Sequence, residues 1–242
     1  YRDDAQLNID QMMEEMYATT TASKSACPSP DDYMKSFEGA DNIVVVTITG
    51  TLSGSYNSAE IAKKIYLEEH PDTKIHVIDS LSAGGEVDLL VRKLNHLVAE
   101  GLEFDQVLDA ITAYQAKTKL LFVLAKVDNL VKNGRLSKLV GTVVGLLNIR
   151  MVGEASKTGT LELLQKARGQ KKAIKAAFDE LIKAGYTGGH ITIAHRNNDK
   201  FIEQFSALIR EKFVQASIEV LPTSGLCSFY AEEGGLLMGY EI

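Results

Sequence analysis

The chain has 242 residues, with 26 Lys and Arg against 32 Asp and Glu, a formal net charge of −6 and an isoelectric point near 5.5. An acidic chain lacks the excess of positive charge that nucleic-acid binding requires, so no nucleic acid partner is expected. We find no apolar run long enough to span a membrane and no secretory leader, which predicts a soluble, cytoplasmic protein.

The first half of the chain alternates helices and strands. Apolar periodicity predicts helices over residues 9–17, 31–37, 55–69, 87–98 and 104–117, and strands over 42–49, 74–78 and 120–125. Such alternation is typical of an α/β fold in which helices cover a largely parallel sheet.

The pattern changes after Leu124. We predict helices over residues 128–133, 140–147, 169–184 and 199–213, and strands over 160–166, 190–195 and 217–221, followed by a glycine-rich ending. The change predicts an N-terminal α/β domain over residues 1–120 and a C-terminal α/β domain over 121–242.

Neither the cysteines nor the histidines have the spacing of a metal site. Cys27 and Cys227 are far apart without a Cys-x-x-Cys pair, and the five histidines are scattered. We therefore expect no metal, no cofactor and no disulfide framework, and interpret each cysteine as a buried or bystander thiol.

A strand that runs into a small-residue turn and then a helix, residues 41–59, is the most informative segment. Gly50 and Gly54 permit a tight turn, and the amides at the helix start, with the hydroxyls of Ser53 and Ser55, could hold an anionic oxygen. In parallel sheets, ligands bind at this end of a strand. The alternative is that Ser53 or Ser55 simply caps the helix.

Other common chemistries are disfavoured by the motifs. The chain has no Walker loop and no Gly-x-Ser-x-Gly elbow, and no histidine is marked as a base for Ser53. Arg135 and Arg168 lie at breaks between elements, where a guanidinium could bind a carboxylate or phosphate in bidentate fashion. Each could equally be a solvated surface arginine.

Six segments, in this order and spacing, together resemble the bacterial DegV family of fatty-acid-binding proteins. They are residues 24–30, 52–59, 77–80, 130–137, 144–149 and 166–172. The resemblance implies a two-domain DegV-like α/β fold in which each domain has a mostly parallel or mixed sheet flanked by helices. It also implies a ligand buried between these elements.

The resemblance further implies a long-chain fatty acid ligand, such as palmitate, with its tail in an apolar tunnel. The family's Thr-Ser-Gln-Pro-Ser and Leu-Ser-Gly-Thr-Tyr motifs place carboxylate-binding hydroxyls at Ser25 and Ser53, beside the amides near Gly54. Two family arginines that serve phosphate transfer fall on Arg135 and Arg168. A carrier that presents fatty acid to a kinase, and is not itself an enzyme, is the implied function.

The chain departs from the family pattern at two places. The opening strand with its Asp-Ser-x-x-Asp-Leu motif is absent from the sequence, which would leave the first sheet short of an element. Kinase-coupled members have a histidine before a Gly-x-Gly segment, and residues 226–235 contain no histidine. The alternative function is an enzyme that acts on a small carboxylated or phosphorylated metabolite at the same helix N-terminus.

Overall fold

The computed structural model describes residues 1–136 and 148–242 as a mixed α/β protein. Its helices are α1 (Ile9–Ala18), α2 (Pro30–Phe37), α3 (Ser55–Glu69), α4 (Gly85–Ala99), α5 (Phe104–Gln115), α6 (Asp128–Lys132), α7 (Gln170–Lys183), α8 (Asp199–Lys212) and α9 (Gly225–Ala231). Its strands are β1 (Asn42–Thr47), β2 (Lys74–Asp79), β3 (Thr118–Leu124), β4 (Ile149–Ala155), β5 (Leu161–Arg168), β6 (His190–His195), β7 (Ser217–Pro222) and β8 (Leu236–Glu241).

β1 and β2 form a parallel sheet that is covered on both faces. Because successive side chains point to opposite faces, Val44 and Val46 pack beneath α4 and α5, while Ile43 and Val45 pack beneath α2 and α3. This arrangement explains why the strand is a continuous run of β-branched residues.

The second sheet has six strands in the order β5-β4-β3-β8-β6-β7. β6 and β7 are parallel, whereas the neighbouring pairs from β5 to β6 are antiparallel. The prediction of a largely parallel sheet is therefore confirmed for the first sheet. The second sheet is mixed, which the predicted fold class also includes. β4 and β5 are joined by a short connection and pair as an antiparallel hairpin.

The two faces of the six-stranded sheet support different cores. One face packs against α7 and α8 through residues such as Val123, Ile193 and Met238. The opposite face carries Phe122 and Leu237 and packs against α6 and α9. The second face is the one beside the ligand cavity described below.

The start of α4 joins the two sheets at close range. Gly84 has a left-handed φ of 55°, and a Cβ on Gly85 would lie 2.2 Å from the carbonyl oxygen of Thr192 and 2.7 Å from the amide of Gly239. Only a residue without a side chain allows the helix backbone to meet β6 and β8 so closely. The turn that precedes α4 is thereby fixed against the second sheet.

Most predicted elements agree with the structure to within a few residues, and three were missed: β4, α9 and β8. Arg150, Gly153 and Glu154 interrupt the apolar pattern of β4, and the glycine-rich ending conceals both β8 and α9. The predicted helix over 140–147 lies outside the described residues. The domain boundary after residue 120 falls within β3, and this division stays a prediction.

Candidate ligand site

The turn between β1 and α3 is fixed by backbone and carboxylate contacts. The amide of Thr49 donates to the carbonyl oxygen of Ser82 at 2.8 Å. The Asp79 carboxylate, at the end of β2, accepts from the amide of Gly50 at 3.1 Å and from that of Leu81 at 2.9 Å. A carboxylate that accepts from two separate turns holds them in one arrangement.

Ser53 lies at the start of α3 without being its N-cap. Gly54 is the N-cap and provides no capping side chain. The Ser53 Oγ accepts from the amide of Ser55 at 3.2 Å and lies 2.9 Å from the Ser55 Oγ. Ser53 therefore satisfies the first amide of the helix, as the capping alternative suggests, and it also lines a cavity.

That cavity, of about 680 Å³ including the space at its opening, lies between the turn, the six-stranded sheet and α9. Most of its wall is apolar: Ile48, Leu52, Ala83, Phe122, Leu124, Leu130, Leu161, Leu226, Ala231 and Leu237. The polar lining residues are Ser25, Ser53, Arg135, Cys227 and Tyr230. An apolar wall with only a few polar groups is typical of a site for a mostly apolar ligand.

Four of these polar residues share the cavity wall, and we call Ser25, Ser53, Arg135 and Tyr230 the polar cluster. The Ser25 Oγ lies 2.8 Å from the Tyr230 hydroxyl. The Arg135 guanidinium lies 5.3 Å from the centre of the Tyr230 ring, within cation–π range, and its Nε donates to the carbonyl oxygen of Leu52 at 3.2 Å. The cluster thus joins the segment before α2, the β1–α3 turn, the end of α6 and α9.

Helix α9 is positioned by residues far away in the sequence. The Asp3 carboxylate accepts from the amides of Gly225 and Leu226 at 2.7 Å each, at the helix start. At its end, the Asn129 Nδ2 donates to the carbonyl oxygen of Phe229 at 2.9 Å. These contacts hold Tyr230 over the cavity.

Cys227 is the one thiol that lines the cavity, among the described residues. Burial raises the pKa of Cys227 to about 11, so the thiol is neutral at physiological pH. Cys27 is exposed, and both cysteines are free. A neutral thiol in an apolar wall acts as a small hydrophobic group.

The predicted site residues are brought together only in part. Ser25, Ser53 and Arg135 line one cavity, and Gly54 lies beside Ser53 at the helix start. Arg168 is exposed at the end of β5, outside the lining. Because its neighbour Ala167 packs toward α7, Arg168 projects from the face of the sheet that carries the cavity.

Tyr230 is the member of the polar cluster that the sequence did not predict. It lies 205 positions from Ser25, in a segment read only as a glycine-rich ending. A phenol on a short helix has no local signature of ligand binding, so only the tertiary contact reveals it.

Two features are absent from the described residues. In residues 1–136 and 148–242 no group of three or more His, Cys, Asp or Glu side chains could hold a metal ion. Over the same residues, no helix has both the length and the apolar character needed to cross a membrane.

The fold and the site define the class of protein. A family model described as "Uncharacterised protein, DegV family" matches residues 1–240. A DegV domain-containing protein of Streptococcus pneumoniae (strain ATCC BAA-255 / R6) is 78% identical over 240 residues, which cover 99% of this chain and 85% of that protein. The chain belongs to the DegV family, as its motifs predicted.

Solved structures resemble the chain over nearly its whole length. The Streptococcus pneumoniae Fatty Acid Kinase (Fak) B3 protein loaded with linoleic acid superposes with a TM-score of 0.98 and is 78% identical, over 99% of this chain and 85% of that one. A DegV family protein from Eubacterium eligens loaded with heptadecanoic acid gives 0.96 at 39% identity, over 99% and 87%. The predicted fold class is confirmed by these neighbours.

Proposed function

We propose that this protein binds one long-chain fatty acid, with the tail in the apolar cavity and the carboxylate at Ser25, Ser53 and the amides near Gly54. The observation that carries the proposal is an apolar cavity whose polar residues are grouped together. Fatty acids held by two DegV relatives of closely similar structure support it.

The energetics assign different roles to tail and head group. Burial of about fifteen methylenes, at roughly 0.8 kcal/mol each, offers on the order of 12 kcal/mol before ordering costs. Hydrogen bonds to the charged head contribute about 1.5–3 kcal/mol each. The tail therefore supplies affinity, and the hydroxyls determine which end of the ligand lies at the polar cluster.

We further propose that the protein presents its fatty acid to a kinase and is not itself the catalyst. The similarity to a fatty acid kinase B3 protein supports this role. Arg135 lines the cavity with Ser25 and Ser53, and Arg168 lies exposed on the face of the sheet that carries the cavity. A cation at either position could offset charge on a phosphorylated head group. Two free cysteines are consistent with a reducing compartment such as the cytoplasm.

The lipid content of the purified protein tests the ligand. Native mass spectrometry should find a bound acyl chain, and protein stripped of lipid should bind added palmitate at one molecule per chain. A small polar metabolite in place of the acyl chain would favour the alternative enzymatic function. Absence of both a co-purifying lipid and palmitate binding would refute the proposal.

The substitution Ser53→Ala tests the head-group position. Loss of one charge-assisted hydrogen bond should weaken palmitate binding about tenfold or more. Ser217→Ala, an exposed position on β7, is the matched control and should leave the affinity unchanged. Equal palmitate affinity in Ser53→Ala and the unmodified protein would show that the carboxylate binds elsewhere.

A further inference from the structure

We propose that Tyr230 is a carboxylate-binding residue and that its hydroxyl donates directly to the fatty acid head group together with Ser25. The inference rests on the proposed function and assigns a residue that the family motifs of this chain did not indicate. Its starting point is the 2.8 Å contact between the Tyr230 hydroxyl and the Ser25 Oγ inside the cavity lining.

The hydrogen count of this pair leaves a free donor. Each hydroxyl carries one hydrogen, and only one of the two can lie between the oxygens. Since neither hydroxyl has a second partner among residues 1–136 and 148–242, the other hydrogen can point toward an acceptor in the cavity. The Ser25–Tyr230 pair is therefore a ready donor in a wall that is otherwise mostly apolar.

A bound carboxylate changes which arrangement is favoured. It has two oxygens, and hydrogen bonds to a charged acceptor are roughly twice as strong as those between neutral groups. Two direct hydrogen bonds to the carboxylate, one from each hydroxyl, are more favourable than one direct bond together with the neutral bond between the hydroxyls. Both Ser25 and Tyr230 should then donate to the ligand, at the expense of their mutual bond.

The surroundings keep the Tyr230 ring in place while its hydroxyl changes partner. Arg135 lies 5.3 Å from the ring centre, and the Phe229 ring meets it edge-on at 4.8 Å between centroids. Two nitrogens of the Arg135 guanidinium already donate, Nε to the carbonyl oxygen of Leu52 and Nη1 to that of Asn133 at 2.8 Å. Arg135 thus supports the phenol and supplies positive charge nearby, while the hydroxyls make the direct contacts.

The substitution Tyr230→Phe removes the hydroxyl and keeps the ring. Palmitate affinity of the lipid-stripped protein should fall roughly ten- to a hundredfold. Affinity for methyl palmitate, which cannot form charge-assisted bonds, should change by no more than about threefold. Tyr66→Phe, whose hydroxyl donates to Phe37 away from the cavity, is the matched control and should bind both ligands as the unmodified protein does.

A double-mutant cycle separates direct contact from positioning. If Tyr230 donates to the carboxylate itself, Tyr230→Phe weakens palmitate binding further in a Ser25→Ala background. If it acts only through Ser25, the second substitution has no added effect, and direct contact is overturned. Tyr230→His, which retains a ring and an N–H donor, should recover part of the lost affinity.

The remaining outcomes distinguish this inference from the proposed function. Palmitate binding that is equal in Tyr230→Phe and the unmodified protein would overturn the role of Tyr230 and leave the fatty acid function standing. Failure of the unmodified protein to bind palmitate would overturn both. Circular dichroism and the thermal midpoint of each variant establish that it is folded.

Discussion

At the scale of single residues, Glu232 shows how the end of α9 is fixed. It is a non-glycine residue with a left-handed φ of 54°, and only 2% of its surface is exposed. Its carboxylate accepts from the amide of Asn129 at 3.1 Å. With ψ at −174°, this conformation is one that non-glycine residues rarely adopt and costs about 1–3 kcal/mol, and the hydrogen bond offsets part of that cost. The strain and the bond together set where Tyr230 lies.

Glu86 gives a prediction about pH. Desolvation by burial raises its pKa, against the hydrogen bond from the Thr118 hydroxyl that lowers it. Because the folded protein holds this proton more tightly than the unfolded chain, stability from this group is greatest in acid. It falls as the pH rises through the raised pKa.

Glu86→Gln should therefore stabilise the protein at neutral pH, by about 1.4 kcal/mol for each unit of pKa shift removed. The amide oxygen still accepts from the Thr118 hydroxyl, which lies 2.8 Å from the carboxylate. Urea unfolding at about pH 4 and about pH 8 measures the effect, with exposed Glu69→Gln as control. If Glu86→Gln changed the free energy of unfolding equally at both pH values, the prediction would be contradicted.

At the scale of elements, the β4–β5 hairpin supports the turn that carries Ser53. The Thr51 hydroxyl donates to the carbonyl oxygen of Gly159 at the hairpin tip, at 2.7 Å. Gly159 has a φ of 78°, and a Cβ there would lie 2.0 Å from the Thr49 Oγ1. The hairpin tip thus packs against the turn, and the cavity wall at Ser53 depends on a strand pair that follows it by about a hundred residues.

The contact between α4 and the second sheet predicts a large cost for a small change. Gly85→Ala places a methyl group against the backbone of Thr192 and Gly239, which cannot move aside as a side chain could. We expect a loss of about 3 kcal/mol or more in the free energy of unfolding. Gly39→Ala, at a φ of 80° with no neighbour within 4 Å, should cost only about 1 kcal/mol. Equal losses in chemical denaturation would contradict this account.

At the scale of the whole molecule, the cavity is built from both halves of the chain. Ile48, Leu52 and Ala83 come from the segments around the first sheet, while Phe122 and Leu237 belong to the second. A ligand that fills this cavity contacts both parts and binds only the folded state. Ligand binding should therefore be coupled to global stability.

Palmitate at a hundredfold excess over its Kd should add about 2.7 kcal/mol to the stability of lipid-stripped protein. For a chain of this length, such an increment raises Tm by roughly 5–10 °C. Butyrate, which has the same head group without the long tail, should produce no measurable shift at the same concentration. A scanning thermal melt tests both, and an equal effect of the two acids would contradict a tail-driven site.

The sequence by itself determined the family, through the resemblance of six motif segments. It also determined most helices and strands and the strand–turn–helix segment at Ser53, since short-range periodicity and turn chemistry specify these features. It also led to Ser25 and Arg135, which the fold places in one cavity, while their roles stay predictions.

Only the tertiary structure decided that β8 lies between β3 and β6, that α9 covers the cavity, and that Tyr230 meets Ser25. It also decided that Arg168 stays outside the lining. These features depend on strand order and on contacts between residues far apart in the chain. Such contacts leave no local pattern, because the partners are brought together by the packing of entire elements.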